Sequence, residues 1–499
     1  MSLDALTGGA TPIARNPWPR FALTESGWRT LGVALADGAA TMLGFWGEAD
    51  CVHLALLEAA APNIAVFSLQ CADGGFPSIG ALHAPAIRLE RAIADLFALE
   101  PRGAIDRRPW LDHGRWGVGA PLSRTPRTPR DPGYAFLRAE GEGLHQIPVG
   151  PVHAGIIEPG HFRFTANGDT VVRLEERLGY AHKGVEHLMT GASLEHCAKL
   201  AGRISGDSAV AYAFAFARAA EAALGVEAPP RAQMLRGLMA ELERLANHFG
   251  DIGAVCNDAA FVMMHAHCGV LRERVLRAAD ACFGHRLMRD IIIPGGVGRD
   301  IDAHGAASLR KGVRDWRRRF RGLVTLYDET PSLEDRTVGT GIVSPELARQ
   351  FGAGGFVGRA SGRAFDARTA FPYPPYDRMA PEVPVLQEGD VDARVWIRIR
   401  EAEQSMALIE RMLDAMPDGA LRAEAPMRAA EGMALVEGFR GDVLVWLKLS
   451  ADGSIARCHV RDPSWLQWPL LEAAIEGNIV GDFPLCNKSF NCSYSGHDL

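Results

Sequence analysis

Apolar side chains recur at two spacings along the chain, and each spacing predicts a different kind of element. Short apolar runs predict strands, most clearly over residues 64–69 and within the stretch 149–174. A repeat of three to four residues predicts helices, and residues 231–249 carry it best. The apolar face of that helix is formed by Met234, Leu235, Leu238, Leu242, Leu245 and Phe249.

The same two spacings predict the rest of the elements. In chain order these are a helix at 86–99, a run of helices from 177 to about 328, a helix at about 392–416, strands at 443–449 and 455–460, and a short helix at 468–476. The tail after residue 476 has no periodicity.

Proline and glycine mark the breaks between elements. The sequence Ala-Asn-Gly-Asp at 166–169 predicts a hairpin turn, because Asn and Gly tolerate the positive φ that a tight turn needs. Three prolines within 123–133 predict an extended linker. We therefore expect an α+β protein with three parts: a small N-terminal α/β domain over 1–122, a Pro-rich linker over 123–148, and a mainly helical domain over 149–499 with a β-rich start and end.

The composition indicates a globular protein without a nucleic-acid-binding surface. Of its 499 residues 47% are hydrophobic and 23% charged, and the formal net charge is -7. No apolar run reaches the roughly 18 residues that a membrane span needs. The N-terminus has no basic segment leading into an apolar one, so we expect a cytoplasmic protein.

The nine cysteines are scattered, and no pair has the C-x-x-C spacing of a zinc, iron-sulfur or redox site. An odd number without a secretory signal predicts free thiols in a reducing compartment. The last strands and the tail contain several potential metal ligands, but their spacing matches no zinc pattern. These residues are Cys458, His459, Cys486, Cys492 and His497. We expect no bound metal.

Several polar motifs follow one another in a fixed order from residue 150 onward. They are Gly150-Pro151-Val152-His153, Glu158-Pro159-Gly160-His161-Phe162, Glu175-Glu176-Arg177 with His182-Lys183-Gly184, Glu241-Leu242-Glu243-Arg244, Pro294-Gly295-Gly296-Val297, Arg359-Ala360-Ser361-Gly362 with Asp366-Ala367-Arg368, and Glu437-Gly438-Phe439-Arg440-Gly441. This ordered set resembles the large subunit shared by nickel-iron hydrogenases and respiratory NADH:quinone oxidoreductases. The resemblance covers residues 150–499 and implies the hydrogenase large-subunit fold.

The segment before the linker resembles a degenerate form of the small soluble 30-kDa-type subunit of NADH:quinone oxidoreductases. The residues that carry this resemblance are Glu90-Arg91, Asp95-Leu96-Phe97, Asp106-Arg107-Arg108 and Pro121-Leu122. Membrane-bound hydrogenases of the formate-hydrogenlyase type fuse the two units in one chain, as here.

The resemblance also implies where four metal-ligand cysteines would stand. The motif Arg-x-Cys-Gly-x-Cys corresponds to residues 203–208, with Ser205 and Ser208 at the cysteine positions. The second pair falls on Ser493 and Gly496, and a slip of one residue would bring only Cys492 onto a ligand position. Because a nickel-iron site needs four thiolates, we expect neither this centre nor hydrogenase activity.

Quinone-reducing relatives use a histidine and a tyrosine on the headgroup, and the corresponding positions here hold Ile157 and Gly206. The cavity itself could persist, so a quinone stays a possible ligand. By resemblance, Glu158 and Arg440 would line the vacated cavity, and His153 and His161 would relay protons. The alternative for each is an ordinary ion-paired or structural residue.

Two hypotheses for the function stay open, and an active nickel-iron hydrogenase is the least favoured third. In the first, the chain is a subunit of a membrane-associated oxidoreductase of the NADH:quinone or formate-hydrogenlyase type, which binds the acceptor or transmits its redox state. In the second it is a silent scaffold or coupling subunit. Both imply an incomplete active site in the chain alone, no tightly bound cofactor, an iron-sulfur partner subunit that carries the cluster, antiporter-like membrane subunits, and a peripheral place on the cytoplasmic face of the membrane.

Overall fold

The computed structural model describes residues 3–7, 11–59, 62–128 and 133–499. The helices of this part are α1 (Leu3–Thr7), α2 (Glu25–Ala36), α3 (Ile87–Phe97), α4 (Val185–Met189), α5 (Leu194–Ala201), α6 (Ala209–Leu224), α7 (Pro230–Asp258), α8 (Val262–Phe283), α9 (Ala303–Asp328), α10 (Pro331–Thr337), α11 (Pro345–Gln350), α12 (Gly355–Ala360), α13 (Ala367–Ala370), α14 (Tyr376–Met379), α15 (Val391–Asp414), α16 (Ser464–Ala474), α17 (Phe483–Phe490) and α18 (Tyr494–Asp498), with short 3-10 helices at Ala84–Ala86 and Val480–Asp482. The strands are β1 (Ala14–Arg15), β2 (Pro19–Leu23), β3 (Ala40–Gly47), β4 (Cys51–Glu58), β5 (Ile64–Gln70), β6 (Gly75–Pro77), β7 (Glu100–Arg102), β8 (Leu144–Val149), β9 (His161–Asn167), β10 (Thr170–Arg177), β11 (Ile292–Ile293), β12 (Gly296–Val297), β13 (Ala430–Gly438), β14 (Gly441–Leu449) and β15 (Ile455–Arg461). The α+β class expected from the sequence is confirmed.

A five-stranded sheet with helices forms the N-terminal part. Its strand order is β1-β2-β5-β4-β3, and only the β2–β5 pair is parallel. The predicted strand at 64–69 is β5, and the predicted helix at 86–99 is α3. This helix buries Leu89, Ile93 and Phe97 on one face and ends at Ala98, which adopts the left-handed conformation common at helix C-termini.

The predicted linker is partly structured. Its residues 129–132 lie outside the described residues. Soon after them the ring of Tyr134 lies beneath the guanidinium group of Arg177, at 4.3 Å. Strand β8 pairs with β9, so the β-structure begins at Leu144, inside the predicted linker stretch 123–148. Strand β8 contains Pro148, whose missing N–H is tolerated because β8 is the edge strand of the β10-β9-β8 sheet.

Helices α6, α7, α8 and α15 pack with the β13-β14-β15 sheet around the larger core. Helix α7 runs from Pro230 to Asp258, nine residues past the end predicted from its apolar stripe. It packs against α6, α8, α15 and α17, so its polar positions are buried as well. A helix that is surrounded on all sides does not reveal its full extent through amphipathic spacing.

The N-terminal sheet packs on the C-terminal sheet through aromatic side chains. Trp46 of β3 stacks on the ring of His459 at 5.0 Å and lies 5.6 Å from the ring of Trp446. A second core cluster joins residues of the N-terminal part to the β9–β10 hairpin and to α16 and α17. The N-terminal part is therefore continuous with the larger domain in its packing.

The tail that showed no periodicity in the sequence forms α17 and α18. Both helices are too short for a repeat to be recognised, and Asn491 in the left-handed conformation separates them. The hydroxyl of Ser493 caps α18 by accepting a hydrogen bond from the Gly496 amide at 2.9 Å. Among the helices that the structure describes, none has the length and apolar character to cross a membrane.

Candidate functional site

A cavity of about 370 Å³ lies where the loop before β9, the start of α6 and the C-terminal tail meet. Its walls come from residues 156–158, 205–207 and 484–495, together with Asp258 and Arg440. These segments are far apart in the chain. The start of α6 reaches the tail because α6 packs on β13 and β14, whose connecting turn carries Arg440.

The four positions assigned to lost metal ligands come together at this cavity. The hydroxyls of Ser205 and Ser493 are 2.9 Å apart although 288 residues separate them in the chain. Ser208 donates a hydrogen bond to Asp207 Oδ1 at 3.2 Å, and Gly496 donates its amide N–H to Ser493. The convergence agrees with the assigned positions, and their history as metal ligands stays a prediction.

Gly496 has no room for a side chain. A Cβ atom there would lie 2.6 Å from Asp462 Oδ2 and 2.7 Å from the hydroxyl of Tyr212. These two groups hydrogen bond to each other, and Tyr212 is fully buried. Any residue larger than glycine would have to displace this pair.

The ion pair between Asp207 and Arg440 occupies the centre of the site. Arg440 donates through Nη1 to Asp207 Oδ1 at 2.7 Å and through Nη2 to Oδ2 at 2.5 Å, and its Nε donates to the Asn491 carbonyl. Burial alone would raise the pKa of Asp207. The charge of Arg440 and the hydrogen bonds from Arg440, Ser205 and Ser208 outweigh burial and lower it to about 2. Asp207 therefore supplies the negative charge that balances the buried arginine.

A nickel-iron centre does not fit these residues. It needs four soft thiolates, whereas this site offers hydroxyls at Ser205, Ser208 and Ser493 and no donor atom at Gly496. The nearby Cys492 is neutral, because burial raises the pKa of its thiol well above the ordinary value. All nine cysteines are free. Within the described ranges, no group of three or more His, Cys, Asp or Glu side chains is placed to hold a metal ion.

The predicted proton-relay residues divide between the cavity and its surroundings. Glu158 lines the cavity and accepts a hydrogen bond from the Ser495 amide at 3.0 Å. His153 instead bonds to the Gly160 carbonyl at 2.7 Å, and His161 to the Gly150 carbonyl at 3.2 Å. Neither histidine lines the cavity: His153 belongs to the loop before β9 and His161 is the first residue of β9, and their role as proton relays stays a prediction. The spacing of the motifs along the chain could not show which of these three residues reach the cavity.

Several residues of the cavity, Asp207, Lys488 and Tyr494 among them, were not singled out from the sequence. Asp207 stands between two of the assigned ligand positions, and its charge is the feature of the sequence that could have marked it as a site residue. Lys488 and Tyr494 line the cavity from the tail, where the sequence pattern pointed only to the cysteine positions. Ile157 and Gly206, the positions expected for a quinone-binding histidine and tyrosine, also lie in the wall. The cavity wall therefore contains a tyrosine, Tyr494, but it comes from the C-terminal tail and not from the position expected for the quinone-binding tyrosine.

Two acidic residues outside the cavity wall, Glu186 and Glu241, are buried and paired. Glu241 accepts hydrogen bonds from Arg368 at 3.0 Å and from Tyr376 at 2.6 Å, and its side chain is fully enclosed. Glu186 pairs with His459 and Arg457, each at 2.8 Å. Glu241 also lies 3.5 Å from Arg244, and both side chains are enclosed.

Comparison with known proteins gives consistent similarities. Residues 258–431 match the family described as respiratory-chain NADH dehydrogenase, 49 Kd subunit. Formate hydrogenlyase subunit 5 of Escherichia coli is 31% identical over 85% of this chain and 77% of its own length. The carbon monoxide-induced hydrogenase of Rhodospirillum rubrum is 32% identical over 70% of this chain and 97% of its own length. An NADH-quinone oxidoreductase subunit of Syntrophobacter fumaroxidans is 31% identical over 70% of this chain and 94% of its own length.

A solved structure has the same fold. It is a chain of the membrane-bound sulfane sulfur reductase, an archaeal respiratory membrane complex, with a TM-score of 0.68 and 26% identity. The similarity covers 72% of this chain and 100% of that one. The chain therefore belongs to the family of oxidoreductase subunits that contains the 49-kDa subunit of respiratory NADH dehydrogenase and the large subunits of membrane-bound hydrogenases.

Proposed function

We propose that this chain is the large subunit of a membrane-associated electron-transfer complex that works without a nickel-iron centre. Electrons arrive from an iron-sulfur cluster in a partner subunit, and an acceptor of the quinone class receives them in the cavity beside Ser205 and Ser493. No cofactor is held tightly by the chain itself. The observation that carries the proposal is the cavity beside the assigned ligand positions, whose wall combines apolar residues with a few polar groups.

The charges around the cavity support this proposal. Asp207 and Arg440 neutralise each other, and Lys488 offsets one of the two remaining carboxylates, Glu158 and Asp258, so the wall carries a small formal net charge. Ile156, Ile157 and Pro484 supply apolar surface for the body of such a ligand. A mainly apolar pocket with a few directed polar groups is the usual form of a small-molecule site.

The rim of the cavity supports docking of a partner. Ile156 is 99% exposed and Val152 85% exposed on the loop before β9. Val262 and Met263, at 62% and 50%, follow Asp258 of the cavity wall by a few residues. Ile156 lines the cavity itself, and the other three residues lie within a few positions of wall residues in the chain. Exposed apolar residues next to a cavity are typical of a surface that a partner covers. We assign this face to the iron-sulfur subunit, with antiporter-like membrane subunits further away and the whole complex on the cytoplasmic face of the membrane.

A second function, that of a scaffold without chemistry, has one observation in its favour. The Ser205–Ser493 hydrogen bond and the Asp207–Arg440 ion pair satisfy the vacated site internally. The fold therefore needs no ligand for its stability, and a subunit that only couples or assembles could retain the same arrangement.

The test uses the intact purified complex. Elemental analysis should find no stoichiometric nickel, and one nickel per chain would overturn the assignment. The iron-sulfur subunit is then reduced chemically, and its reoxidation by a short-chain quinone is followed optically. We expect quinone-dependent reoxidation, and its absence would favour the scaffold.

A matched pair of variants then locates the reaction. Gly206→Leu places a side chain at the cavity wall, where a Cβ meets nothing closer than 3.7 Å, and should slow reoxidation. Gly322→Leu adds the same side chain on the exposed face of α9, where a Cβ meets nothing within 4 Å, and should not. Equal rates in the two variants would place quinone reduction outside the cavity.

A further inference from the structure

A separate cavity opens where the N-terminal part meets the larger domain, and we call it the seam cavity. It has a volume of about 340 Å³ and shares no wall residue with the cavity beside Ser205 and Ser493, here the first cavity. One side is formed by α3 and the segment 111–122, and the other by residues 182–187 at the start of α4. Small-molecule sites are common where two parts of a chain meet, and they usually have volumes of about 300–1,000 Å³.

Apolar side chains form the wall on the N-terminal side of the seam cavity. They are Leu96, Leu111, Trp116, Val118, Pro121 and Leu122. Leu111 is buried, whereas the other five are half-buried and keep part of their surface exposed. Apolar surface that is grouped around a concave site, and left partly open, is typical of a place where an apolar ligand binds.

Two aromatic rings of the wall already form a stack. The rings of Trp116 and His182 have centroids 4.5 Å apart and planes inclined by 29°. Both residues line the seam cavity, so the wall presents ring faces and edges in a fixed position. Aromatic rings prefer offset-stacked or edge-to-face contacts with one another. A flat aromatic ligand is therefore better matched to this wall than a flexible alkyl chain.

The hydrogen bonding of His182 determines which of its nitrogens carries a proton. Nδ1 lies 2.6 Å from the Asp498 carbonyl oxygen, and a carbonyl only accepts, so Nδ1 carries the hydrogen. Burial lowers the pKa of His182 more than this hydrogen bond raises it, so the ring is neutral and Nε2 keeps its lone pair. Among the described residues Nε2 has no hydrogen-bond partner, and it is not enclosed. A Cβ atom on Gly184, another wall residue, would lie 3.9 Å from Nε2.

The charged groups of the wall are already engaged within the protein. Glu186 pairs with Arg457 and His459 through its two carboxylate oxygens, each at 2.8 Å. The ammonium group of Lys183 donates to the carbonyls of residues 204 and 495, at 2.8 and 3.3 Å. His187 lies at the exposed rim. The acceptor Nε2 of His182 is therefore the polar side-chain atom that remains to select a ligand inside the seam cavity.

We propose that the seam cavity binds a small uncharged molecule with a flat aromatic ring and a hydroxyl or N–H group, which donates a hydrogen bond to His182 Nε2. The ring of the ligand packs against Trp116 and the leucines of the wall. An apolar pocket with one directed polar group gives both affinity and orientation. Binding here needs no electrons and no iron-sulfur partner, so it does not depend on the reaction proposed for the first cavity.

The first experiment compares two probes that differ only in the donor, naphthol and its methyl ether. Their binding to the purified complex is measured by equilibrium dialysis, without an electron donor. We expect naphthol to bind saturably, and about 3–10-fold more tightly than the ether, because one hydrogen bond between neutral groups contributes about that factor. Equal affinities, or no saturable binding of naphthol, would overturn the proposal.

Three variants decide which cavity the probe occupies. Leu122→Trp adds bulk to the wall of the seam cavity and should abolish naphthol binding. Ile105→Trp adds bulk at a position of the N-terminal part that is 71% exposed, and should leave binding unchanged. Gly206→Leu narrows the first cavity and should also leave it unchanged. If Gly206→Leu abolished binding and Leu122→Trp did not, the probe would lie in the first cavity and the seam site would be refuted, while the proposed function would stand.

The last variant tests the hydrogen bond to His182. His182→Phe keeps a ring against Trp116 but removes the acceptor, so the ratio of the two affinities should fall to about one. The ratio is informative even if the variant weakens the wall, because damage to the wall affects both probes alike. His187→Phe changes the other histidine of the wall and should leave the ratio unchanged. A ratio in His182→Phe equal to that of the wild type would show that Nε2 does not accept the hydrogen bond, and would overturn the proposal.

Discussion

Removal of the negative charge of Asp207 should destabilise the protein by about 2–3 kcal/mol. Asp207→Asn keeps the shape of the side chain but leaves the Arg440 guanidinium, whose side chain is only 4% exposed, without an anion. Breaking a buried pair in this way typically costs about 3–5 kcal/mol. The Asp207 side chain is 32% exposed to the cavity, so water offsets part of that cost. A fall in its pKa from 3.8 to about 2 corresponds to roughly 2 kcal/mol, which agrees.

The sign of the pH dependence gives a second measurement. The pKa of Asp207 is lower in the folded state than in the unfolded state, so its contribution is fully present above about pH 4. It is lost as the pH falls from about 4 towards 2. The wild type should therefore lose more stability in that window than Asp207→Asn does.

Urea unfolding followed by tryptophan fluorescence measures both effects, provided that the slope m is unchanged. Asp290→Asn is the matched control, because it breaks a pair with Arg203 in which both side chains are more than one third exposed and should cost at most about 1 kcal/mol. A double-mutant cycle with Arg440→Met isolates the pair. If Asp207→Asn proved as stable as the wild type, Asp207 would not be the counter-charge of the site.

Three further predictions concern steric fit, docking and packing. Gly496→Ala should lower the free energy of unfolding, measured in urea, by about 1–3 kcal/mol because its Cβ would meet the Tyr212 hydroxyl. Tyr212→Phe in the same chain should restore part of the loss, and an Ala variant as stable as the wild type would contradict the contact. Ile156→Asp should weaken binding of the iron-sulfur subunit in a pull-down without changing the stability of the chain, whereas Leu82→Asp, at an exposed position of the N-terminal part, should leave binding intact. Trp446→Ala should lower the free energy of unfolding in the same assay by about 3–5 kcal/mol, because it leaves a cavity where the two sheets meet. A loss below about 1 kcal/mol would mean that other contacts hold the sheets together.

Local patterns in the sequence were sufficient for most elements. Apolar spacing predicted α3, α7 and α15 and the strands β5, β14 and β15, and the Asn-Gly turn of the β9–β10 hairpin lies where expected, with Asn167 paired to Thr170. These features depend on residues a few positions apart, which periodicity detects directly. Short helices such as α17 and α18 contain too few turns for a repeat to stand out. Edge strand β8 was missed because nearly all of it, from Leu144 onward, precedes the stretch 149–174 in which apolar runs predicted strands.

The sequence by itself determined the family, through an ordered set of motifs, and the absence of cysteine at the four assigned ligand positions. Only the tertiary structure decided which contacts the residues at these positions make. Arg440 pairs with an aspartate 233 residues away, and Gly496 is enclosed by Tyr212 and Asp462. Tyr494 reaches the cavity from the tail. Such contacts depend on how α6, the β13–β14 turn and the tail pack against one another, and the spacing of residues along the chain carries no information about pairs so far apart.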